Sequence, residues 1–510
     1  MIQFGKKKKE KRRSTTPVRE NLESLAVAVA LAVFLKFFAV EAYKIPTSSM
    51  QPTLMGDTKQ QVFDRILVDK TPFLHRDPRR WEIAVFKYPM HRAQNYIKRI
   101  WGLPGEWLIT GRGDVWRGRP GEYPTSRPDL RPATVIRKPL ELQDHLWLTV
   151  FDSRETPRLL HRVLKTMGPA ACRREGDACL LEVTGDGGMA RYFQAIHDSP
   201  AHGYRKQAAT LIRDATNRGT RRSPGINPIT DLRVVLELVP REGGETLVME
   251  IRERTAYRAE IPLGGAPRPA RLLAAGREVA KGEIDPLPPG GSSRVELLNY
   301  DDRLCLRIDG TPVLQHEYRE SPFSSPPCRS NRILLGTTRP GVVEIARLAI
   351  DRDIYYTEMR PGIARTRTTG PWMHLAEEHY LMLGDNSAGS EDSRAWQMLH
   401  LEDPESGKVI QGNFRPGGWY RDEEHDPANG DWNPVFVSSR KTIVFTDYLG
   451  EEHLLKPDIP GTGQVWLQGA VKWVNEQRRE ALCAVHRDFI LGKALAIFWP
   501  IRPLRPDLID

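Results

Sequence analysis

Cysteine is scarce in this chain, with five residues among 510: Cys172, Cys179, Cys305, Cys328 and Cys483. None sits in a CxxC pair, which argues against a zinc or redox site. An odd count cannot pair completely within the chain. Cys172 and Cys179 can close a small hairpin bridge or stay as free thiols. Positive charge is also short outside one block. The net charge of +10 is modest for this length, and much of it lies in Lys6-Lys-Lys-Lys-Glu-Lys-Arg-Arg13. With that block set aside, little points to a nucleic-acid binder. What remains is a globular composition, 40% hydrophobic and 27% charged, with room for several domains.

Residues 1–20 are basic and polar, without a core-forming pattern, and read as a cytoplasmic tail. Residues 21–42 carry a mostly apolar run, Leu22-Glu-Ser-Leu-Ala-Val-Ala-Val-Ala-Leu-Ala-Val-Phe-Leu-Lys-Phe-Phe-Ala-Val40. Its length is about that of a spanning helix. A cleaved signal peptide ends in small residues at its cleavage site, which this run does not. An interfacial amphipathic helix is the other alternative. The reading taken is a single signal-anchor span. The basic block before it places the N-terminus in the cytoplasm and everything from about Tyr43 on the outer, periplasmic face.

Beyond the span the chain reads as mainly β. Val62–Lys70, Trp81–Tyr88 and Asn95–Trp101 are strand-like, and Asp114–Pro120 reads as a small hairpin. Residues 43–123 therefore form the first part of one β domain. Residues 124–360 have a different texture. Leu232–Val239, the turn Glu242-Gly-Gly-Glu245 and Thr246–Ile251 read as strand, turn, strand. Arg303–Ile308 alternates cleanly into Asp309-Gly310. Strands at this spacing predict an inserted β-sandwich. The set ending at Ile345–Tyr356 resembles lectin-like, concanavalin-type sandwiches. Asp301, Asp302 and Asp309 are read as turn residues, not as a sugar or calcium site. Residues 361–396 return to the first domain, 397–484 form a second insertion, and 485–510 supply a last strand, Phe489–Trp499, and a proline-rich tail.

The chemistry lies in Lys44-Ile-Pro-Thr-Ser-Ser-Met-Gln-Pro-Thr-Leu54, which offers Thr47, Ser48 and Ser49 between two prolines. A serine becomes a nucleophile only when a base takes its proton. Lys98 lies in an apolar setting, with Tyr96, Ile97, Ile100 and Trp101 around it. Burial lowers a lysine pKa and makes it a usable base. Arg99 beside it calls for a neutralising acid.

Three stretches together carry a family resemblance: Pro46–Thr53, Tyr96–Arg99 with Gly102-Leu-Pro-Gly-Glu106, and Gly384-Asp-Asn-Ser-Ala-Gly-Ser-Glu-Asp-Ser-Arg394. In this order, after an apolar segment, they resemble the bacterial type I signal peptidases, membrane-bound serine proteases with a Ser–Lys dyad. The resemblance covers roughly residues 20–120, 378–396 and 485–499. It implies Ser49 as nucleophile, Lys98 as general base and Ser390 as the hydroxyl that orients the lysine amine. The Ser49 N–H and the Thr47 hydroxyl would form the oxyanion hole, and Ser48 would be a bystander. Asp385 would partner Arg99, and Asp392 with Arg394 would support Ser390. Ile45, Pro46, Met50, Leu54, Ile66, Val85, Tyr96 and Ile97 would line small apolar pockets for alanine-sized residues before the scissile bond. The implied activity is removal of signal peptides from exported preproteins at the lipid bilayer, with no metal and no cofactor. Trp81, Trp101, Phe498 and Trp499 are candidates for an apolar approach surface. The alternative is an inactive, membrane-anchored binding protein that displays the sandwich. Two departures stand out. Arg80-Trp-Glu82 replaces the family's Arg-Gly-Asp, and both insertions are unusually long.

Overall fold

The computed structural model describes residues 17–57, 62–89, 91–118, 133–155, 157–194, 196–198, 227–265, 268–320, 332–357, 373–394, 396–402, 409–414, 435–437, 442–446, 452–455 and 484–499. A helix, Pro17–Phe38, opens it. The side chains described along residues 21–31 are all exposed. Among the described residues no helix is long and apolar enough to cross a membrane. The expected span finds no support in this 22-residue helix. Glu23 and Lys36 interrupt its apolar run.

A seven-stranded antiparallel sheet follows. Its order is Val40–Lys44, Arg65–Asp69, Ile490–Trp499, Ile83–Tyr88, His91–Gly102, His379–Leu383 and Ala484–His486. The last long strand of the chain thus lies inside the sheet, paired to Arg65–Asp69 on one side and Ile83–Tyr88 on the other. Ile66, Val68, Ile83, Val85 and Ala494 bury one face with Ile45, Met50 and Leu54. Ala84, Phe86, Ile100, Tyr380, Met382 and Ile490 bury the other with Trp396 and Val485. The alternation of side chains along each strand sorts them onto the two faces. A smaller sheet, Met373–His374, Trp107–Gly111, Asp114–Arg117 and Thr134–Val135, stands beside it.

Two further sheets have strands that run from Leu148 to Arg352. Their inward residues, such as Leu236, Leu238, Leu247, Met249, Leu297 and Ile345, share one core. The expected Leu232–Ile251 hairpin does not form. Leu232–Gly243 pairs with Ser293–Tyr300 and Gly341–Arg352, whereas Thr246–Arg252 pairs with Ala256–Pro262 and Arg332–Thr337. The two strands therefore belong to opposite sheets. Gly243 and Gly244, at φ 61° and 72°, carry the chain across from one sheet to the other. Both strands present apolar side chains to a common core, so facing sheets bury them better than a shared ribbon. The Asp309-Gly310 hairpin does form, between Arg303–Ile308 and Thr311–Glu317. Cys172 and Cys179 are bridged across the hairpin Ala170–Val183. Cys305 is a buried free thiol, and Cys328 and Cys483 lie outside the described residues. Within 397–484 the described strands are Gln397–Glu402 paired to Val409–Phe414, and Val435–Val437, Thr442–Thr446 and Glu452–Leu455 in a second small sheet.

Candidate active site

Ser49 sits in a single 3-10 turn, Ser48–Met50, at the end of the extended Ile45-Pro-Thr approach. Met50 and Leu54 have no exposed surface and sink this turn into the sheet's core. The Leu54 N–H donates to Met50 O at 2.9 Å. Gly56 closes the back, because a Cβ there would overlap the Thr47 and Ile45 carbonyls. Lys98 comes from the interior strand His91–Gly102, where its register opposite Ala84 fixes it.

The Lys98 Nζ donates to Ser49 Oγ at 2.7 Å. The two residues are 4% and 6% exposed, so the contact is dry. Burial pushes the Lys98 pKa down to about 8, against the charges of Asp392, Glu391 and Asp385, which push it up. A lysine near that value has an appreciable neutral fraction at ordinary pH and can accept the Ser49 proton. Thr47 is exposed. Its Oγ1 lies 3.4 Å from Ser49 Oγ.

Arg99 and Asp385 form a two-pronged pair at 2.9 and 2.7 Å, both nearly fully buried. Arg99 also donates to Trp81 O at 2.8 Å. Asp392 and Arg394 form a second such pair, with both contacts at 2.8 Å. Burial pushes the Asp392 carboxyl up, but Arg394 and the Gly384 N–H more than reverse this and hold it below the usual carboxylate range. Ser390 is buried at 2% exposure beside Gly384. No hydrogen bond joins its Oγ to Lys98.

The pocket residues divide. Pro46 is exposed and Tyr96 and Ile97 are partly buried. Ile45 and Val85 are nearly buried, whereas Met50, Leu54 and Ile66 have no accessible surface and belong to the core beneath. Trp101 is 1% exposed and cannot form an approach surface, whereas Phe498 and Trp499 are exposed.

Several contacts escaped the sequence reading. Thr53 Oγ1 donates to Asp385 Oδ2 at 2.5 Å. The Asn386 N–H donates to Ser49 O and its Nδ2 to Ser48 O, each at 3.0 Å. Asn386 lies inside the Gly384–Arg394 stretch, so a signal existed there. Tyr356, which donates to Gly384 O at 3.3 Å, carried none.

Away from this site, one carboxylate oxygen from each of Asp114, Asp231, Asp301 and Asp353 falls within 4.8 Å of the others. Lys138 Nζ already stands among them, 2.5 Å from Asp301 Oδ1 and 2.9 Å from Asp353 Oδ2. Burial works against its charge, but the neighbouring carboxylates more than offset this and raise its pKa well above the ordinary value. An ammonium held in this way is the cluster's own cation, and the cluster is read as an ion network. Asp301 and Asp302, at φ 47° and 56°, also form the turn expected of them.

Residues 18–115 match the family described as signal peptidase, peptidase S26. A probable signal peptidase I-2 of Synechocystis sp. is 33% identical over 152 residues, 28% of this chain and 66% of that protein. A signal peptidase I of Leptolyngbya laminosa is 36% identical over 130 residues, 23% of this chain and 61% of that protein. The chain thus spans less than two thirds of each of these relatives. Among solved structures, a Bacillus subtilis protein with a galectin-like fold matches 41% of this chain at 12% identity and TM-score 0.28. A carbohydrate-binding module from the same organism covers 38% at 9% identity and TM-score 0.22. At such scores neither likeness carries an argument.

Proposed function

Because the chain belongs to the type I signal peptidase family, we propose that it is a serine endopeptidase that removes signal peptides from exported preproteins. The observation that carries this reading is the dry 2.7 Å contact between Lys98 Nζ and Ser49 Oγ. In its neutral form Lys98 takes the Ser49 proton, and Ser49 attacks the carbonyl before the scissile bond. The Ser49 N–H and the Thr47 hydroxyl receive the developing oxyanion. One such donor is worth roughly 2.7–4 kcal/mol of barrier. The lysine then protonates the leaving amine. Water, activated by the same lysine, releases the acyl-enzyme.

The other groups support this pair. Asp385 neutralises Arg99 beside Lys98, Arg394 holds Asp392, and Ser390 stands ready to orient the amine once substrate is bound. Pro46, Ile45, Val85, Tyr96 and Ile97 offer small apolar surfaces for small residues before the cut. The exposed helix with its apolar Leu22, Leu25, Val29 and Val33, preceded by the basic block Lys6–Arg13, supports attachment to a lipid bilayer with the catalytic sheet on the outer face. Phe498 and Trp499, exposed at the end of their strand, suit a substrate that is itself lipid-bound.

Lys98→Ala should abolish cleavage of a preprotein in detergent while leaving the thermal unfolding profile unchanged. Undiminished cleavage would remove the dyad. For the membrane, carbonate-washed fractions should retain the full chain and lose a variant lacking residues 17–38. Equal release of both would end that part of the reading.

A further inference from the structure

The segment that leaves the sandwich reaches into the site. Past the strand Gly341–Arg352 the chain passes through Tyr356, which is 1% exposed. The Tyr356 N–H donates to Gly113 O at 2.7 Å, tying it to the smaller sheet. The Tyr356 ring meets the Trp101 edge at 5.0 Å. On the Arg394 side the guanidinium lies 5.0 Å from the same ring. Its hydroxyl donates to Gly384 O at 3.3 Å. One residue on, Thr357 O accepts from Arg394 Nη1 at 3.0 Å.

Gly384 has little freedom. Its N–H donates to Asp392 Oδ2 at 3.0 Å. A Cβ on it would overlap Ser390 Oγ and stand 2.5 Å from Ser49 O. The Gly384 residue is thus held at its N–H by Asp392 and at its carbonyl by Tyr356, and it is wedged against the backbone of Ser49. Arg394, under the same ring, is the partner that keeps Asp392 in place.

We propose that Tyr356, delivered by the inserted sandwich, is a positioning residue for the Ser49–Lys98 pair, acting through Gly384 and the Arg394–Asp392 pair. The inference rests on the peptidase reading above. Burial raises the phenol's pKa well above its ordinary value, so the hydroxyl remains a donor at every pH where Lys98 titrates. The charges that face Lys98 are Asp392, Glu391, Asp385 and Arg394. Tyr356 touches one of these four, Arg394, and through Arg394 and Gly384 reaches a second, Asp392. The sandwich is thereby part of the catalytic geometry and more than cargo on the chain.

The test uses the full chain, Y356F and Y356L, with a preprotein carrying alanines before the scissile bond. Y356F keeps the ring under Arg394 and loses the hydroxyl. It should lower kcat about fivefold, the worth of one hydrogen bond, with KM unchanged. Y356L, which loses the ring as well, should fall further. Hydrogen exchange is the second measurement. Peptides over 382–394 and 47–51 should exchange faster in Y356F, while those over 232–251 keep the wild-type rate. An unchanged kcat overturns the proposal, whatever the exchange. Equal loosening of the 232–251 peptides also overturns it, in favour of general destabilisation. A wild-type chain that cuts no preprotein sinks the peptidase reading instead. The exchange pattern then still decides whether Tyr356 orders the Ser49 backbone.

Discussion

Lys98 is the residue at which sequence and structure bear most directly on one another. A lysine inside a strand is ordinarily an exposed or edge residue, and apolar neighbours such as those of Lys98 also flank Lys493, so they alone do not single it out. The burial at 4% exposure is what changes it. Desolvation disfavours the ammonium, and the acids around it restore only part of the loss. The sign of the pH effect follows. In the proposed mechanism the neutral amine is the active form, so the acid limb of kcat/KM should have its midpoint near pH 8. Activity should rise about tenfold between pH 7 and the alkaline plateau. A flat profile between pH 6 and 9 would exclude Lys98 as the titrating base. Trp81 is the second telling residue. It stands where the resembling family has glycine, and its φ is 78°. An L-residue pays about 1–2 kcal/mol for that backbone. The ring is retained against Trp101, 4.7 Å away and edge to face. Trp81→Ala loses the ring and keeps the strain, whereas Trp81→Gly loses the ring and relieves it. The glycine variant should therefore be the more stable by about 1 kcal/mol in urea unfolding, the reverse of the usual order.

At the scale of elements, individual strands were easier to read than their partners. Arg303–Ile308 alternates and ends in Asp309-Gly310, and both the strand and its hairpin are found. Leu232–Val239 and Thr246–Ile251 were equally clear as strands, yet their short connection crosses between sheets. A Gly-Gly step permits a two-residue hairpin and a crossing alike. The choice is made by burial across the shared core, to which a local turn signal is blind. The crossing makes its own demand. At Gly243 a Cβ would stand 2.5 Å from Pro340 O, whereas at Gly276, also at positive φ, it would meet nothing. Gly243→Ala should destabilise by about 2 kcal/mol or more, and Gly276→Ala by only about 1 kcal/mol. Equal losses in denaturant titrations would mean that the crossing is looser than drawn. The site was legible where its residues fall in contiguous stretches: Ser49, Lys98, Asp385 and Arg394 all sit among informative neighbours. Tyr356 was not, because its relation to Gly384 exists only once two sheets have packed.

For the molecule as a whole, the insertions leave and rejoin the seven-stranded sheet without breaking it. Trp396, before the second insertion, and Val485, after it, share one buried cluster with Phe86 and Ile490. Both ends of residues 397–483 therefore enter the same core. Replacing that stretch with a short Gly/Ser linker should leave the sheet folded, because closing a loop depends only weakly on its length. The shortened chain should retain its cleavage rate, and its complete loss would show that the second insertion takes part in the chemistry.

The place of Ile490–Trp499 in the sheet bears on how its two halves are held. Val40–Lys44 and Arg65–Asp69 lie on one side of it, and Ile83–Tyr88 and His91–Gly102, which carries Lys98, lie on the other. Its ladders to Arg65–Asp69 and Ile83–Tyr88 close the sheet. Thr53 with Asp385, and Asn386 with the Ser48 and Ser49 carbonyls, tie the same halves a second time. The Ser49–Lys98 distance therefore hangs on two independent clasps, one of backbone and one of side chains.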